Sequence, residues 1–324
     1  MTSLYVDRRG IDLELDGGAL VFRENGERVG TVPIAPLTRV FLRGEVRLSA
    51  ALLGHLGEAG VGVVVLSGRL GRPSLLLARP HNDAARRIGQ WEASRDPAFC
   101  LKVAGALVAA KLDRQGALLE DYRERRLDAR YELTHALKGM DSAVSGLPDR
   151  ADLAALRGAE GAAARSYFQG LAAVAPAGLH FSGRNRRPPK DPLNAVLSLT
   201  YTLLHAEATI ALYGAGFDPY VGFFHALDFG RESLASDLIE PVRPLADRFA
   251  LRLFEQGDLR AEDFSQTDAG CLLGKAGRTR YYAAFEGAAE TLRHALSEEV
   301  DHLSEQLAQR LPAPTTREAP CDIF

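Results

Sequence analysis

The chain has 324 residues, with 39 Lys+Arg against 42 Asp+Glu and a formal net charge of -3, which excludes a wholly basic nucleic-acid coat but leaves room for a local basic patch. Hydrophobic residues make up 46% and charged residues 25%, an ordinary globular balance that excludes wholesale disorder. Cys100, Cys271 and Cys321 are far apart, odd in number and without a C-x-x-C spacing, so neither a disulfide framework nor a zinc ribbon is expected.

At the N-terminus, charges at Asp7, Arg8 and Arg9 precede any apolar run, so no signal peptide is expected. No stretch reads as the ~18 uncharged apolar residues of a membrane span, and a cytoplasmic protein without a membrane partner is the expectation. Short strands are expected at Leu4–Val6, Ile11–Leu15, Ala19–Phe22, Val29–Ile34, Arg39–Leu42, Val61–Leu66 and Leu75–Leu77. Asp16-Gly17-Gly18 and Glu24-Asn25-Gly26 read as hairpin turns, and Leu48–Leu56 as a short helix. This is the pattern of a small β-sandwich or folded sheet over residues 1–80.

A helical period then takes over after a linker expected over residues 81–95. Asp96-Pro97 and Asp191-Pro192 are N-cap and first-turn proline pairs that start helices, the first running to Arg126 and the second ending at Gly214 or Gly216. Asp149 reads as an N-cap for a helix from Arg150 towards Val174, stopped by Pro176. Leu234, Leu238, Val242, Leu245, Phe249 and Leu253 form a further apolar stripe, and Ala284–Arg310 the last helix. The prolines and threonines after Leu311 predict a flexible tail over residues 311–324. The fold class is therefore α+β in series: a small N-terminal β-sandwich-like domain followed by a larger all-helical domain over residues 96–310.

No P-loop, nucleophile elbow or H-E-x-x-H occurs, and His205-Ala206-Glu207 lacks the P-C-x-x-C partner of a zinc deaminase. Four features carry chemistry. Glu160 lies between Gly158 and Gly161, and two helical glycines at a cost of roughly 1 kcal/mol each clear side chains for a close approach by a helix or a phosphate backbone. The plain alternative is a solvated carboxylate. Asp237 and Glu240 share one helical face beside Pro241, where the helix should kink, and His225 follows Phe223-Phe224. Paired carboxylates with one imidazole suit Mg²⁺ or Mn²⁺ better than zinc, whereas an exposed acidic face and a core histidine are the bland readings.

From Arg157 to Lys190, six cations face one acid, Glu160. The Arg184–Lys190 loop, with Pro188 and Pro189, is expected to be extended and to present its cations outward, and Tyr167 and Phe168 nearby suit base stacking. Asn194, Ser198, Tyr201 and His205 form a polar seam along an apolar helix, which hydrogen bonding within the core explains at least as well as catalysis.

In this order, the Glu160-Gly161 helix through Tyr167-Phe168, the Arg186–Ala195 run with Tyr201, the Asp218–His225 run, and Ser233-Leu234 with Asp237–Pro244 resemble the CRISPR-associated protein 1 family. The resemblance implies a metal-dependent DNA endonuclease and integrase of spacer acquisition, in which the 3′-OH of a captured fragment attacks a phosphodiester of a CRISPR repeat. It further implies Glu160, His225 and Glu240 as catalytic residues and ligands of Mg²⁺ or Mn²⁺, with Asp237 as an alternative acid. Arg165, Arg184, Arg186, Arg187, Lys190 and Arg231 are the expected phosphate contacts on double-stranded DNA. A homodimer through the β domain and assembly with CRISPR-associated protein 2 follow from the same resemblance. The competing readings are a non-catalytic nucleic-acid scaffold and a metal-dependent enzyme acting on a small phosphoester.

Overall fold

A computed structural model describes residues 2–67, 72–77, 84–145, 152–185, 188–268 and 270–310. The chain begins with β1 (Thr2–Asp7), β2 (Ile11–Asp16), β3 (Ala19–Glu24), β4 (Glu27–Pro33), β5 (Leu37–Arg43) and β6 (Val46–Leu48). Helix α1 (Ala50–Glu58), β7 (Gly62–Ser67) and β8 (Arg72–Leu76) follow. One sheet has the order β1-β5-β7-β8 and the other β4-β3-β2-β6. The meander β2–β3–β4 is antiparallel and turns at Gly17-Gly18 and Asn25-Gly26, all with positive φ, as the two hairpin signals require. The pairs β1–β5, β5–β7 and β2–β6 are parallel, and the meander and α1 supply crossovers between such strands.

Val6, Ile11, Leu13, Leu20, Val40, Leu42, Leu52 and Val63 join α1 and both sheets in one core. The opposite face of β5 and β7 (Phe41, Val64, Leu66) packs into the helical core. Strands β5 and β7 bury residues on both faces, Val65 excepted, which is why Val61–Leu66 reads as a continuous apolar run.

The helical part comprises α2 (Ala84–Ser94), α3 (Pro97–Arg125), α4 (Arg130–Ser145), α5 (Leu153–Val174), α6 (Pro192–Gly214), α7 (Ser233–Ile239) and α8 (Arg243–Glu255), then the hairpin β9 (Phe264–Thr267) and β10 (Gly270–Leu273), and α9 (Lys275–Ala308). Asp96 and Asp191 cap α3 and α6 as their Asp-Pro signals predict. Three expectations are corrected. The segment expected as a linker holds α2, whose Gln90 is fully buried; residues 81–83 lie outside the described residues. Helix α5 starts at Leu153 with Asp152 as its cap, the Asp149 and Arg150 of the expected start lying outside the described residues. The last helix starts nine residues earlier than Ala284, at Lys275, and a hairpin precedes it. Helix α6 is long and apolar enough to cross a membrane by length and composition, but its apolar window is 56% buried inside the protein, the pattern of a core helix. The expected tail, residues 311–324, lies outside the described residues.

The strand-rich and helical parts share more than apolar contact. Buried Glu207 on α6 accepts hydrogen bonds from Arg39 on β5 and Arg293 on α9, at 2.9 Å each. Glu286 on α9 accepts from the Ser3 backbone N–H at 2.7 Å and the Tyr5 hydroxyl at 3.2 Å, and Arg278 pairs with Asp7.

Candidate active site

Helix α5 buries Leu156, Ala163, Tyr167, Gly170, Leu171 and Val174. Glu160 falls on that stripe, four residues after Leu156 and three before Ala163, so it points inward with only 20% of its side chain exposed. It is not a solvated carboxylate. Gly158 and Gly161 face open space, so no helix among the described residues uses the clearance they provide. The close helix contacts are elsewhere: a Cβ on Gly170 would sit 3.0 Å from Leu119 and Ala136, and one on Gly139 would collide with Ser166.

The segment Asp218–His225 is held between α2 and α7. Gln90 donates to the carbonyls of Asp218 (2.8 Å) and Val221 (2.7 Å) and accepts from the Asp218 N–H (2.8 Å). The Pro219 carbonyl accepts from the Leu234 N–H at 2.8 Å, satisfying a donor at the start of α7. Asp237, fully buried on α7, then gathers the end of the segment. Its Oδ2 accepts from the Phe223 and Phe224 N–H groups (2.7 and 3.0 Å), and its Oδ1 from the His225 N–H (2.8 Å). The His225 ring Nδ1 lies 2.7 Å from the same Oδ1. With both oxygens committed, Asp237 orients His225 and is not placed as a free ligand. The ring's Nε2 carries no hydrogen bond among the described residues, the arrangement in which a second-layer carboxylate steers a histidine ligand.

Pro241 ends the helical run. The Glu240 N–H turns back to the Asp237 carbonyl at 3.2 Å, helix stops at Ile239 and resumes at Arg243, and Arg114 caps the Pro241 carbonyl at 3.0 Å. The expected kink is thus a full break, because proline has no N–H to continue the ladder. The break aims Glu240 inward, where it is 5% exposed, so the alternative of an exposed acidic face does not hold.

Glu240 meets Glu160 through a residue that carries no motif of its own. Lys111 of α3 donates its ammonium protons to Glu160 Oε1 and, at 2.7 Å, to Glu240 Oε2. Arg243 Nη1 lies 3.1 Å from Glu240 Oε1. Burial would raise the pKa of Glu240, but the charges of Arg243 and Lys111, the Lys111 hydrogen bond and the nearby His225 overcome it and bring the carboxyl down to about 2. Glu160 and Glu240 are therefore brought together on one ammonium, with His225 close enough to act on Glu240 electrostatically. Among the described residues no three His, Cys, Asp or Glu side chains stand in ready-made metal geometry. Two carboxylates converging on one positive charge are nonetheless donors that suit a hard divalent cation, and the His225 ring, steered through its Nδ1, acts on Glu240 electrostatically. The one sequence signal of Lys111 is a lysine on the apolar stripe of α3, four residues after Leu107 and three after Val108.

A second buried carboxylate, equally without a motif, supports this wall. Asp247 on α8 accepts from the Tyr167 hydroxyl at 2.7 Å and from the Tyr201 hydroxyl. Burial pushes its pKa up to about 6, against the two hydrogen bonds and the charges of Arg243 and Arg184. Tyr167 is fully buried in this cluster and is not available to stack on a base, and Phe168 is packed against the core.

The basic loop departs from expectation in one respect. Arg184 turns inward, donating to Asn194 Oδ1 (2.8 Å) and Ser198 Oγ (3.1 Å) and lying 5.3 Å from the Tyr201 ring centre. The seam residues Asn194, Ser198 and Tyr201 are the acceptors and ring that hold it, while His205 pairs with Glu232 at 2.6 Å. Arg165 and Lys190 are exposed and Arg231 half-buried, and their side chains make no hydrogen bond or ion pair among the described residues. Arg186 and Arg187 lie outside the described residues.

A family model described as "CRISPR associated protein Cas1" matches residues 4–287. The "CRISPR-associated endonuclease Cas1 1" of Thermodesulfovibrio yellowstonii is 36% identical over 289 residues, covering 88% of this chain and 91% of that protein. Among solved structures, "Casposase bound to integration product" superposes with a TM-score of 0.81 at 21% identity, covering 96% of this chain and 91% of that one, a likeness of fold. "Cas6-RT-Cas1--Cas2 complex" superposes with a TM-score of 0.76 at 25% identity, over 95% of this chain and 35% of that one.

Proposed function

The chain belongs to the Cas1 family of CRISPR-associated proteins, and from that premise we propose that it is a divalent-cation-dependent DNA endonuclease and integrase of spacer acquisition. The observation that carries this reading is the convergence of Glu160 and Glu240, from α5 and the α7–α8 break, on one positive charge beside a histidine steered by Asp237. Glu160, Glu240 and His225 Nε2 would hold Mg²⁺ or Mn²⁺. When bound, the cation supplies charge neutralisation at the scissile phosphodiester.

The reaction is transesterification: a fragment 3′-OH gives up its proton and bonds to phosphorus as the bond to the leaving 3′-oxygen breaks and that oxygen takes up a proton, or water takes the place of the hydroxyl in hydrolysis. The protein's own residues fix the geometry. Asp237 holds the His225 ring in one orientation and keeps its Nδ1 occupied. Arg243 balances Glu240. The bare helical surface at Gly158 and Gly161 lets a phosphate backbone approach beside Glu160. Arg165, Lys190 and Arg231 are the phosphate contacts on double-stranded DNA, with Arg186 and Arg187 of the same loop. Arg184 acts by holding the loop to α6.

A homodimer through the strand-rich part would cover the edge strands β4 and β8. The likeness in fold to a chain of the Cas6-RT-Cas1--Cas2 complex supports a Cas2 partner. Strand transfer into supercoiled DNA, assayed with Mn²⁺, Mg²⁺ or EDTA, tests the reading. Joined product that needs the cation and vanishes in E160A and E240A supports it. DNA binding without any cation-dependent cutting or joining would leave only a scaffold. Light scattering that finds a concentration-independent 35.1 kDa species would remove the dimer.

A further inference from the structure

Lys111 is a lysine where lysines are rarely found. It lies on the buried stripe of α3 among Leu107, Val108, Gln115 and Leu118, with 6% of its side chain exposed. A buried ammonium needs partners, and this one has two carboxylates that come from other parts of the chain, Glu160 and Glu240. These are the carboxylates proposed above as cation ligands. Glu240 has a second cation, Arg243, on its other oxygen, whereas Lys111 is the cationic partner found for Glu160. Two carboxylates brought this close without a cation between them would repel strongly in a buried setting. An ammonium and a divalent cation on the same carboxylates repel each other at contact distance, so each weakens the hold of the other. The four-carbon stem of lysine allows its head to swing aside, which the rigid fork of arginine does less readily.

We propose that Lys111 is the built-in counter-ion of the active site: it holds Glu160 and Glu240 together in the cation-free protein and is displaced from between them when a divalent cation binds. The inference rests on the reading of those carboxylates as ligands. Lys111 is thus a positioning residue that pairs the two carboxylates in the cation-free protein and competes with the metal for them, the competition outweighing any gain in affinity from the pairing.

The test uses the full chain stripped with EDTA, with Mn²⁺ binding followed by electron paramagnetic resonance and calorimetry. K111M should bind Mn²⁺ about tenfold or more tightly than wild type, since a competing cation has gone. In EDTA its melting temperature should fall, and Mn²⁺ should raise it by more than it raises that of wild type. A lysine with a merely structural role predicts the opposite for affinity, a looser site. Should K111M fail to fold, acetylation of the wild-type protein read by mass spectrometry decides: Lys111 should be protected in EDTA and labelled once Mg²⁺ is added. Equal or weaker Mn²⁺ affinity in K111M, or labelling that Mg²⁺ leaves unchanged or reduces, overturns the inference while wild-type Mn²⁺ binding leaves the metal-dependent reading standing. Absence of Mn²⁺ binding and of strand transfer in wild type itself would overturn both.

Discussion

His225 Nδ1 and Asp237 Oδ1 lie 2.7 Å apart, and the same carboxylate accepts three consecutive backbone N–H groups, from Phe223, Phe224 and His225. One fully buried side chain therefore shapes the loop and aims the ring. Replacing Asp237 with Asn puts an amide donor against these donors. D237N should lose about 2–5 kcal/mol of stability in urea unfolding, the range for breaking a buried charged hydrogen-bond set, and lose strand transfer with it. H225A, which removes a half-exposed ring, should abolish strand transfer at a cost of only about 1 kcal/mol. Equal stability losses in the two variants would show that the backbone contacts to Asp237 carry little energy.

Gly222 is required by the same relationship. A Cβ there would lie 2.8 Å from Asp237 Oδ2 and from Ser233 Cβ, and 2.9 Å from the Ser233 carbonyl carbon. These are short of any real contact, and the backbone and buried carboxylate have nowhere to go. G222A should cost about 1–3 kcal/mol by overpacking and should loosen His225. Hydrogen exchange should find the Phe223–His225 amides protected in wild type and faster in G222A. Unchanged protection would mean that the loop absorbs the methyl group.

Much of this wall was legible in the sequence for local reasons. Asp96-Pro97 and Asp191-Pro192 announce α3 and α6 because a cap and a first-turn proline act within four residues. Pro241 announces the break for the same reason. Lys111, Gln90, Glu207 and Asp247 were not legible as partners, since what makes each one tolerable in the interior is contact with residues 46 to 168 positions away. Their only local mark is a polar residue on an apolar stripe. The early start of α9 was hidden by Lys275, Arg278 and Arg280, which dilute the apolar period, though Gly277, Tyr281 and Tyr282 are buried.

Glu207 makes the strand-rich and helical parts depend on each other. It is 3% exposed and holds Arg39 and Arg293, the latter also bonded to Ser3 Oγ at 2.6 Å. E207A removes the buried carboxylate that Arg39 and Arg293 share and should lower stability by about 3 kcal/mol. The triple variant R39M/E207L/R293M, which removes all three charges, should regain most of that loss, because the penalty arises from uncompensated charge. Urea unfolding of the two variants measures the difference. A triple variant as unstable as E207A would assign the loss to packing instead.

Asp247 makes stability depend on pH in an unusual direction for a carboxylate. Burial raises its folded pKa to about 6 from the ordinary 3.8, so between these values the folded protein keeps a proton that the unfolded chain releases. Stability from this group is therefore fully present below about pH 3.8 and is lost as pH rises through about 6. The shift of roughly two pH units corresponds to about 3 kcal/mol. D247N carries no proton to lose. It keeps one acceptor for Tyr167 or Tyr201, so its fixed cost is the same at every pH. Urea unfolding of both proteins from pH 4 to pH 7 isolates the effect, because every other titrating group cancels in the difference. The wild-type advantage over D247N should shrink steadily from pH 4 to pH 6.5 and level off above it. A difference that stays flat would mean that Asp247 is ionised throughout, its charge fully compensated by Arg243, Arg184 and the two tyrosine hydroxyls.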